Sequence, residues 1–298
     1  MTDKGRVIAL GFFDGVHIGH KALLDRVCER AAENDLIPSV FNFDTHPDAL
    51  VFGRKVDLIY ESDKRIEIIR DEFGISDIIV IHFDRAMMET PWDQFLKSLI
   101  EKHSLKWVVI GYDFRFGWKG LGTPEKVKCF CEENGLGFDL IPAVLSEGET
   151  VSSTLIRDCI RSGKMEKADA LLGRPFSIQG DILHGHNVGK GLGYPTINMK
   201  ISEKISVPSF GVYVTKTLVN GIEYASITNV GTRPTFYTDS EITVETNILD
   251  YSDDLYGQKA EIFFYKKIRD ERKFASPEEL TGQISNDVRE VREYFGRI

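Results

Sequence analysis

The chain has 298 residues, about two domains at roughly 150 residues each and long enough to bury a core. Hydrophobic residues make up 42% and charged residues 28%, with mean hydropathy −0.18, which excludes the disordered and membrane-embedded classes. Lys and Arg number 37 against 46 Asp and Glu, a net charge of −9; that argues against a broad cationic surface for nucleic acid or anionic lipid but leaves room for a local phosphate site.

In chain order, the first half alternates short β-branched runs with longer amphipathic segments, the pattern of βα units on a parallel sheet. Strands are predicted at 6–11, 38–43, 78–83, 107–111 and 138–141. The first apolar stretch stops at Asp14 without a small-residue cleavage site, and no apolar run nears the roughly 18 residues of a membrane span. A cytoplasmic chain without signal peptide or membrane segment is expected.

The densest chemical signal follows that strand: Gly11-Phe12-Phe13-Asp14-Gly15-Val16-His17-Ile18-Gly19-His20. A helix is predicted over 20–34, with Leu23, Leu24, Val27 and Ala31 as its buried stripe. Such a junction suits an anion. The helix N-terminus offers unpaired N–H groups and partial positive charge, Gly15 and Gly19 let backbone approach a phosphate beside Asp14, and His17 and His20 add donors. This set fits attack at the α-phosphate of ATP, where catalysis is mostly positioning and electrostatics. The plain alternative is two surface histidines at an ordinary βα turn.

His46, after the second strand, reads as a solvated loop histidine. The loop 111–117 lies at the carboxyl end of the fourth strand, where α/β folds place ligands; Asp113 and Phe114 are its candidate ligand contacts, set against a core role for Phe114 or Phe116. Thr123-Pro124-Glu125 starts a helix that Gly135 stops. A further helix spans 152–162 and ends at Gly163. At its start Arg157 lies three and four residues after Thr154 and Ser153, hence on their face, and the group forms a polyphosphate clamp or, more plainly, an N-cap with an exposed arginine. Cys28, Cys129, Cys131 and Cys159 include no C-x-x-C pair, so they read as reduced, mostly core-filling thiols.

Near Arg174-Pro175 the character changes, and extended stretches follow at 176–183, 211–219, 222–229, 242–249 and 260–265, with Asn220-Gly221 as a type I′ hairpin signal. The reading is an antiparallel sheet or small barrel, closed by a helix that starts at Ser276-Pro277-Glu278-Glu279 and carries Leu280, Ile284, Val288, Val291 and Phe295. The fold class is therefore α/β plus β, with domains at 1–173 and 174–298.

Residues 180–193 hold five glycines, against about one from the chain average of 26 in 298, so backbone approaches something closely there. Gly189, Gly191 and Gly193 sit in a run that is neither a Walker A loop nor G-x-G-x-x-G, and Pro195 opposes an immediate helix. A strand follows instead. On it Thr196 and Asn198 share a face, two oxygens able to hold Mg²⁺ bound to nucleotide phosphates; a glycine-rich hairpin without ligand is the alternative. In 242–250, Val244, Thr246 and Ile248 take one face while Glu245 and Asn247 take the other. Glu245 is either an exposed barrel charge or a placed general base. Residues 269–274 read most simply as a solvated charge run, and spacing gives no support for a role of Arg269.

Taken in order, 11–20, 111–117, 152–157, Leu171-Leu172-Gly173-Arg174-Pro175, 189–198, Gly211-Val212-Tyr213, 229–236, 245–251 with Leu255-Tyr256-Gly257, and 269–274 resemble the bifunctional bacterial riboflavin kinase/FMN adenylyltransferase (FAD synthetase) family across nearly the whole chain. The resemblance implies an N-terminal nucleotidyltransferase-type, Rossmann-like domain that joins FMN to ATP, giving FAD and pyrophosphate. It also implies a C-terminal riboflavin kinase-type β-barrel with a terminal helix that phosphorylates riboflavin. The implied partners are ATP, riboflavin, FMN and FAD, with Mg²⁺ accompanying ATP, no nucleic acid and no membrane; oligomeric state is left open.

On the same resemblance His17 and His20 stabilise the α-phosphate during in-line attack by the FMN phosphate. Asp14, Gly15, Gly19, Ser153, Thr154 and Arg157 hold ATP phosphates, and Asp113 and Phe114 belong to a flavin or nucleotide loop. In the second domain Gly189, Gly191, Gly193 and Asn198 cradle ATP, Thr196 and Asn198 position the metal, and Glu245 takes the proton from the riboflavin 5′-hydroxyl. Ile197 and Asn247 depart from the family's usual Ala and frequent His without touching these residues.

Two other classes fare less well. A His-x-Gly-His segment also marks class I aminoacyl-tRNA synthetases, but the chain has no Lys-Met-Ser-Lys-Ser run and its −9 charge opposes a tRNA surface. A non-catalytic flavin or nucleotide sensor would be favoured by missing polar site residues, and all are present.

Overall fold

The computed structural model describes residues 4–53, 55–183, 194–233 and 241–296, and the chain divides into two compact units, Met1–Ser153 and Thr154–Ile298. Among the described residues of the first unit, β1 (Arg6–Leu10), β2 (Ile37–Phe43), β3 (Asp77–Ile81), β4 (Leu105–Gly111) and β5 (Gly137–Ile141) form a parallel sheet in the order β3-β2-β1-β4-β5. The chain winds from β1 out to β3 and returns to the other side of β1 as β4. The carboxyl ends of β1 and β4 therefore flank the switch point at which open α/β sheets bind ligands.

Helices α1 (Ile18–Asn34), α2 (Pro47–Val51), α3 (Ser62–Phe73), α4 (Arg85–Glu89), α5 (Trp92–His103) and α6 (Pro124–Glu133) fill the connections, and β6 (Leu145–Ser146) and β7 (Glu149–Thr150) pair as a short hairpin. On one sheet face Ile8, Leu10, Val108 and Ile110 bury against Phe95, Leu96, Leu99 and Val127 of α5 and α6. Alternation turns Val7, Ala9 and Val109 to the opposite face, where they are equally buried. A sheet covered on both faces explains why these strands read as unbroken apolar runs.

The helix predicted from His20 begins two residues earlier because His17 caps it, and it stops at Asp35, whose left-handed backbone points its N–H to the Ala31 carbonyl. β3 ends at Ile81 rather than Phe83, because His82 Nδ1 and the Phe83 N–H turn to the Asp44 carboxylate, 2.8 and 3.3 Å away, instead of continuing the ladder.

The second unit takes up α7 (Ser153–Arg161) after its first residue, then α8 (Met165–Leu172) and a closed barrel. Strands β8 (Phe176–Leu183), β9 (Ile197–Lys200), β10 (Gly211–Val219), β11 (Ile222–Arg233), β12 (Glu241–Ile248) and β13 (Lys259–Arg269) run antiparallel in the order β10-β11-β12-β9-β8-β13, with β13 returning to pair β10. Closure leaves no edge strand open. Asn220 and Gly221 both take positive φ (52° and 77°) between β10 and β11, as the type I′ signal requires.

At Gly180 a Cβ would lie 2.2 Å from the Lys200 carbonyl oxygen, so this glycine answers the close approach of β9. The terminal helix α9 (Pro277–Gly296) lays Val291 on Val212, Val214, Ile227 and Leu249. Among the described residues no cysteine carries a disulfide; Cys131 and Cys159 are buried, but Cys28 is only half-buried and Cys129 is exposed, so two of the four fill the core. Among the described residues no helix is long and apolar enough to cross a membrane.

Candidate functional site

The turn after β1 is held in an unusual shape: Phe13, Gly15 and Val16 all have positive φ. Asp14, 2% exposed, accepts the Ile59 and Tyr60 N–H groups at 2.9 and 3.3 Å, so its carboxylate braces the turn from within. Beneath the turn lies Arg65, fully buried. Its guanidinium donates to the Phe12 carbonyl, to Asn42 Oδ1 at 3.3 Å and to the Phe43 carbonyl at 3.0 Å, and stacks 4.0 Å from the Phe12 ring. Burial pushes its pKa down to about 10, opposed by the charges of Asp14 and Asp44, and it stays cationic at neutral pH. The sequence reasoning missed Arg65, although its place three and four residues before Ile68 and Ile69 puts it on the face of α3 that those residues bury.

His17 Nδ1 accepts the His20 N–H at 3.3 Å, capping α1. With Nδ1 accepting, the neutral ring carries its proton on Nε2. The His17 and His20 rings stack at 3.7 Å with 16° between planes. Gly19 makes this possible, since a Cβ there would sit 3.0 Å from His17 Cε1 and Nδ1. Within the first unit the Ser153 hydroxyl donates to the Asp14 carbonyl at 2.9 Å. In the second unit Arg157 Nη2 donates to Thr154 Oγ1 at 3.1 Å, the i, i+3 pairing anticipated from spacing.

A cavity of about 760 Å³ opens beside the same turn, lined by Gly11, Phe12, Phe41, Phe43, Phe95, Phe114, Phe116 and Trp118 among others. Phe114 is thus brought to it, stacked on Phe116 at 5.4 Å, while Asp113 stands exposed on the loop outside the lining. His46 differs from the solvated histidine expected: it caps α2 by accepting the Asp48 N–H and packs edge-on against Phe12 at 4.5 Å.

In the barrel, strand register sets the second site. Asn229 of β11 pairs with Glu245 of β12, and Glu245 pairs with Asn198 of β9, so one half-buried carboxylate lies between two amides in a single transverse row. Thr196 and Glu245 line a cavity of about 240 Å³ together with Asn229, Asn247, Arg269 and Asp287. Asn247 Nδ2 donates to the Pro195 carbonyl at 2.6 Å, which fixes the segment carrying Thr196. Gly189, Gly191 and Gly193 lie outside the described residues.

The charge run 269–274 is not simply solvated. Arg269 pairs with the buried Asp287 at 2.8 Å, and Glu271 accepts the Asn229 amide at 3.1 Å. Among the described residues no group of three or more His, Cys, Asp or Glu side chains forms a metal cage. Asn198 pairs with Glu245 in the ladder but is not among the residues that line the cavity shared by Thr196 and Glu245.

A family model described as FAD synthetase matches residues 1–155, and one described as riboflavin kinase matches residues 172–295. The bifunctional riboflavin kinase/FMN adenylyltransferase of Bacillus subtilis (strain 168) is 34% identical, covering 98% of this chain and 93% of its own. The protein of the same name from Escherichia coli (strain K12) is 33% identical, covering 98% and 94%. A crystal structure described as a macrolide-efflux protein from Streptococcus pneumoniae has a TM-score of 0.87 at 28% identity, covering 98% of this chain and 95% of its own. With two family models matched in chain order and relatives of this identity over the full length, the chain belongs to the bifunctional riboflavin kinase/FMN adenylyltransferase family, phosphorylating riboflavin to FMN and adenylylating FMN to FAD.

Proposed function

We propose that adenylyl transfer occurs at the turn after β1 and phosphoryl transfer at the cavity beside Glu245, in functional halves 1–173 and 174–298. Both reactions consume ATP with a divalent metal, here Mg²⁺. In the first half the FMN phosphate oxygen attacks the α-phosphorus of ATP and pyrophosphate leaves. Charge builds on the α-phosphate oxygens, where the His17 Nε2–H, the His20 ring and the first amides of α1 stabilise it. Gly15 and Gly19 let that backbone come close, Asp14 keeps the turn in shape, and Ser153, Thr154 and Arg157 take the polyphosphate. The flavin ring occupies the aromatic cavity with Phe114, and Asp113 orients its loop.

In the second half Glu245 accepts the proton of the riboflavin 5′-hydroxyl as that oxygen attacks the γ-phosphorus, and ADP leaves. Thr196 and Asn198 would hold the metal, which would neutralise phosphate charge. The observation that carries this assignment is the Asn229–Glu245–Asn198 row, with its carboxylate at a cavity wall. The protein works on small molecules in the cytoplasm and has no nucleic-acid partner, in keeping with its −9 charge.

The test is to incubate the protein with ATP, Mg²⁺ and either riboflavin or FMN, and follow products by chromatography. Glu245→Gln abolishes FMN formation and spares FAD formation from supplied FMN; His20→Ala does the reverse. Loss of both activities in both folded variants overturns the two-site assignment.

A further inference from the structure

We propose that Asp287 of α9 is a positioning residue of the kinase site: it fixes the Arg269 guanidinium at the cavity wall, so that the terminal helix sets the affinity for riboflavin. The inference rests on the reading of that cavity as the riboflavin site. Asp287 is 2% exposed and Arg269 20%. Arg269 Nε donates to both carboxylate oxygens at 3.3 and 3.0 Å, and Nη2 donates to Oδ2 at 2.8 Å. Gln283, one turn earlier on α9, donates its amide to Asp287 Oδ1 at 2.6 Å and accepts from Arg272 Nη2 at 2.7 Å. Its two ends are therefore committed, and the Asp287 carboxylate cannot rotate away.

The barrel register gives this arrangement a purpose. Arg269 pairs with Val212, Val212 with Asn229, and Asn229 with Glu245. Arg269 thus lies in the row of the proposed general base, three strand steps or about 14 Å along the wall at ~4.8 Å per step. Arg269, Asp287 and Glu245 line one cavity. Nε and one hydrogen each of Nη2 and Nη1 are committed, to Asp287 and to the Asp270 carbonyl. Two of the five N–H donors remain for a ligand. Carbonyl oxygens on the pyrimidine end of the flavin ring are acceptors of that kind, at the end away from the ribityl hydroxyl that Glu245 serves. A buried ion pair is a weak source of stability compared with apolar packing. Holding a planar donor fork in place is what it does well.

Steady-state kinetics on the full-length enzyme test this. Asp287→Asn raises the KM for riboflavin about tenfold, or ~1.4 kcal/mol, with kcat and the KM for ATP within about twofold, and Asp287→Glu recovers most of the loss. Gln283→Leu removes the brace without touching the ion pair and raises the same KM about threefold, so it decides the matter if Asp287→Asn does not fold. An unchanged riboflavin KM in the folded variants overturns the inference, as does a fall in kcat with KM unmoved. Glu245→Gln run in parallel separates the two levels: if it keeps kinase activity, the site reading itself falls.

Discussion

Gly19 shows how one missing side chain shapes the proposed adenylyl-transfer site. The His17 ring occupies the space a Cβ would need, at 3.0 Å from two ring atoms, and from there it caps α1 and stacks on His20. Gly19→Ala pushes the ring off both contacts. The expected outcome is a fall of about tenfold or more in FAD formation from FMN, with FMN formation from riboflavin unchanged, since a misplaced catalytic group commonly costs that much. Separate initial rates for the two half-reactions check it. At this scale the sequence was informative where a residue type was out of place: Glu245 stood out as a carboxylate inside an alternating strand, and two histidines as neighbours at a strand-to-helix turn. Asp287 carried the same kind of signal unread: seven residues after Leu280, three after Ile284 and four before Val291, it falls on the apolar stripe of α9, and it is buried.

Within the barrel, alternation carries a buried chain of hydroxyls. Thr217 donates to Ser226 at 2.8 Å, Ser226 meets Thr215 at 2.9 Å, Thr215 meets Thr228 at 2.8 Å, and Thr228 meets Thr246 at 2.9 Å, tying β10, β11 and β12 together. All five side chains are fully buried. Thr228→Val keeps the shape but strips a partner from both Thr215 and Thr246, and is expected to lower stability by about 1–3 kcal/mol, read as a shift in the urea midpoint.

A second element is sensitive to pH. Asp169, near the end of α8, accepts the Phe176 N–H at 2.9 Å where the chain enters β8. Burial, with Glu166 adding to it, pushes its carboxyl up to about 8 against the pull of that backbone bond. Between about pH 4 and 8 the folded state therefore keeps a proton that the unfolded chain has already released. Stability contributed by the neutral acid is lost as pH rises through that window, by about 1 kcal/mol per pH unit. Asp169→Asn retains the acceptor without the charge, so it should unfold at a higher temperature than the wild type at pH 8 and flatten the difference between pH 6 and 8. The barrel strands were readable from their alternation, whereas α8 was not singled out as a helix, and the polar interiors were not readable because cross-strand partners are separated in sequence by register rather than by a fixed spacing.

For the whole molecule, motif order along the chain made the two activities legible, whereas the contacts that build each site join distant segments: Arg65 to Phe12, Asn229 to Glu271, Asp287 to Arg269. The −9 charge told against nucleic acid and was silent about phosphate, which local amides and single arginines can hold in an acidic protein. His17 and His20, proposed for adenylyl transfer, belong to the first unit and the proposed base Glu245 to the second, so on that proposal each half-reaction has its own reacting groups. FMN released by one molecule is then substrate for another. A mixture of the His20→Ala and Glu245→Gln proteins is expected to make FAD from riboflavin and ATP although neither variant does so alone. FAD should appear after a lag that shortens as the His20→Ala protein, the source of FMN, is increased. A chromatographic time course decides the point: absence of FAD from the mixture, with each variant active in its own half-reaction, would mean that FMN does not pass through solution.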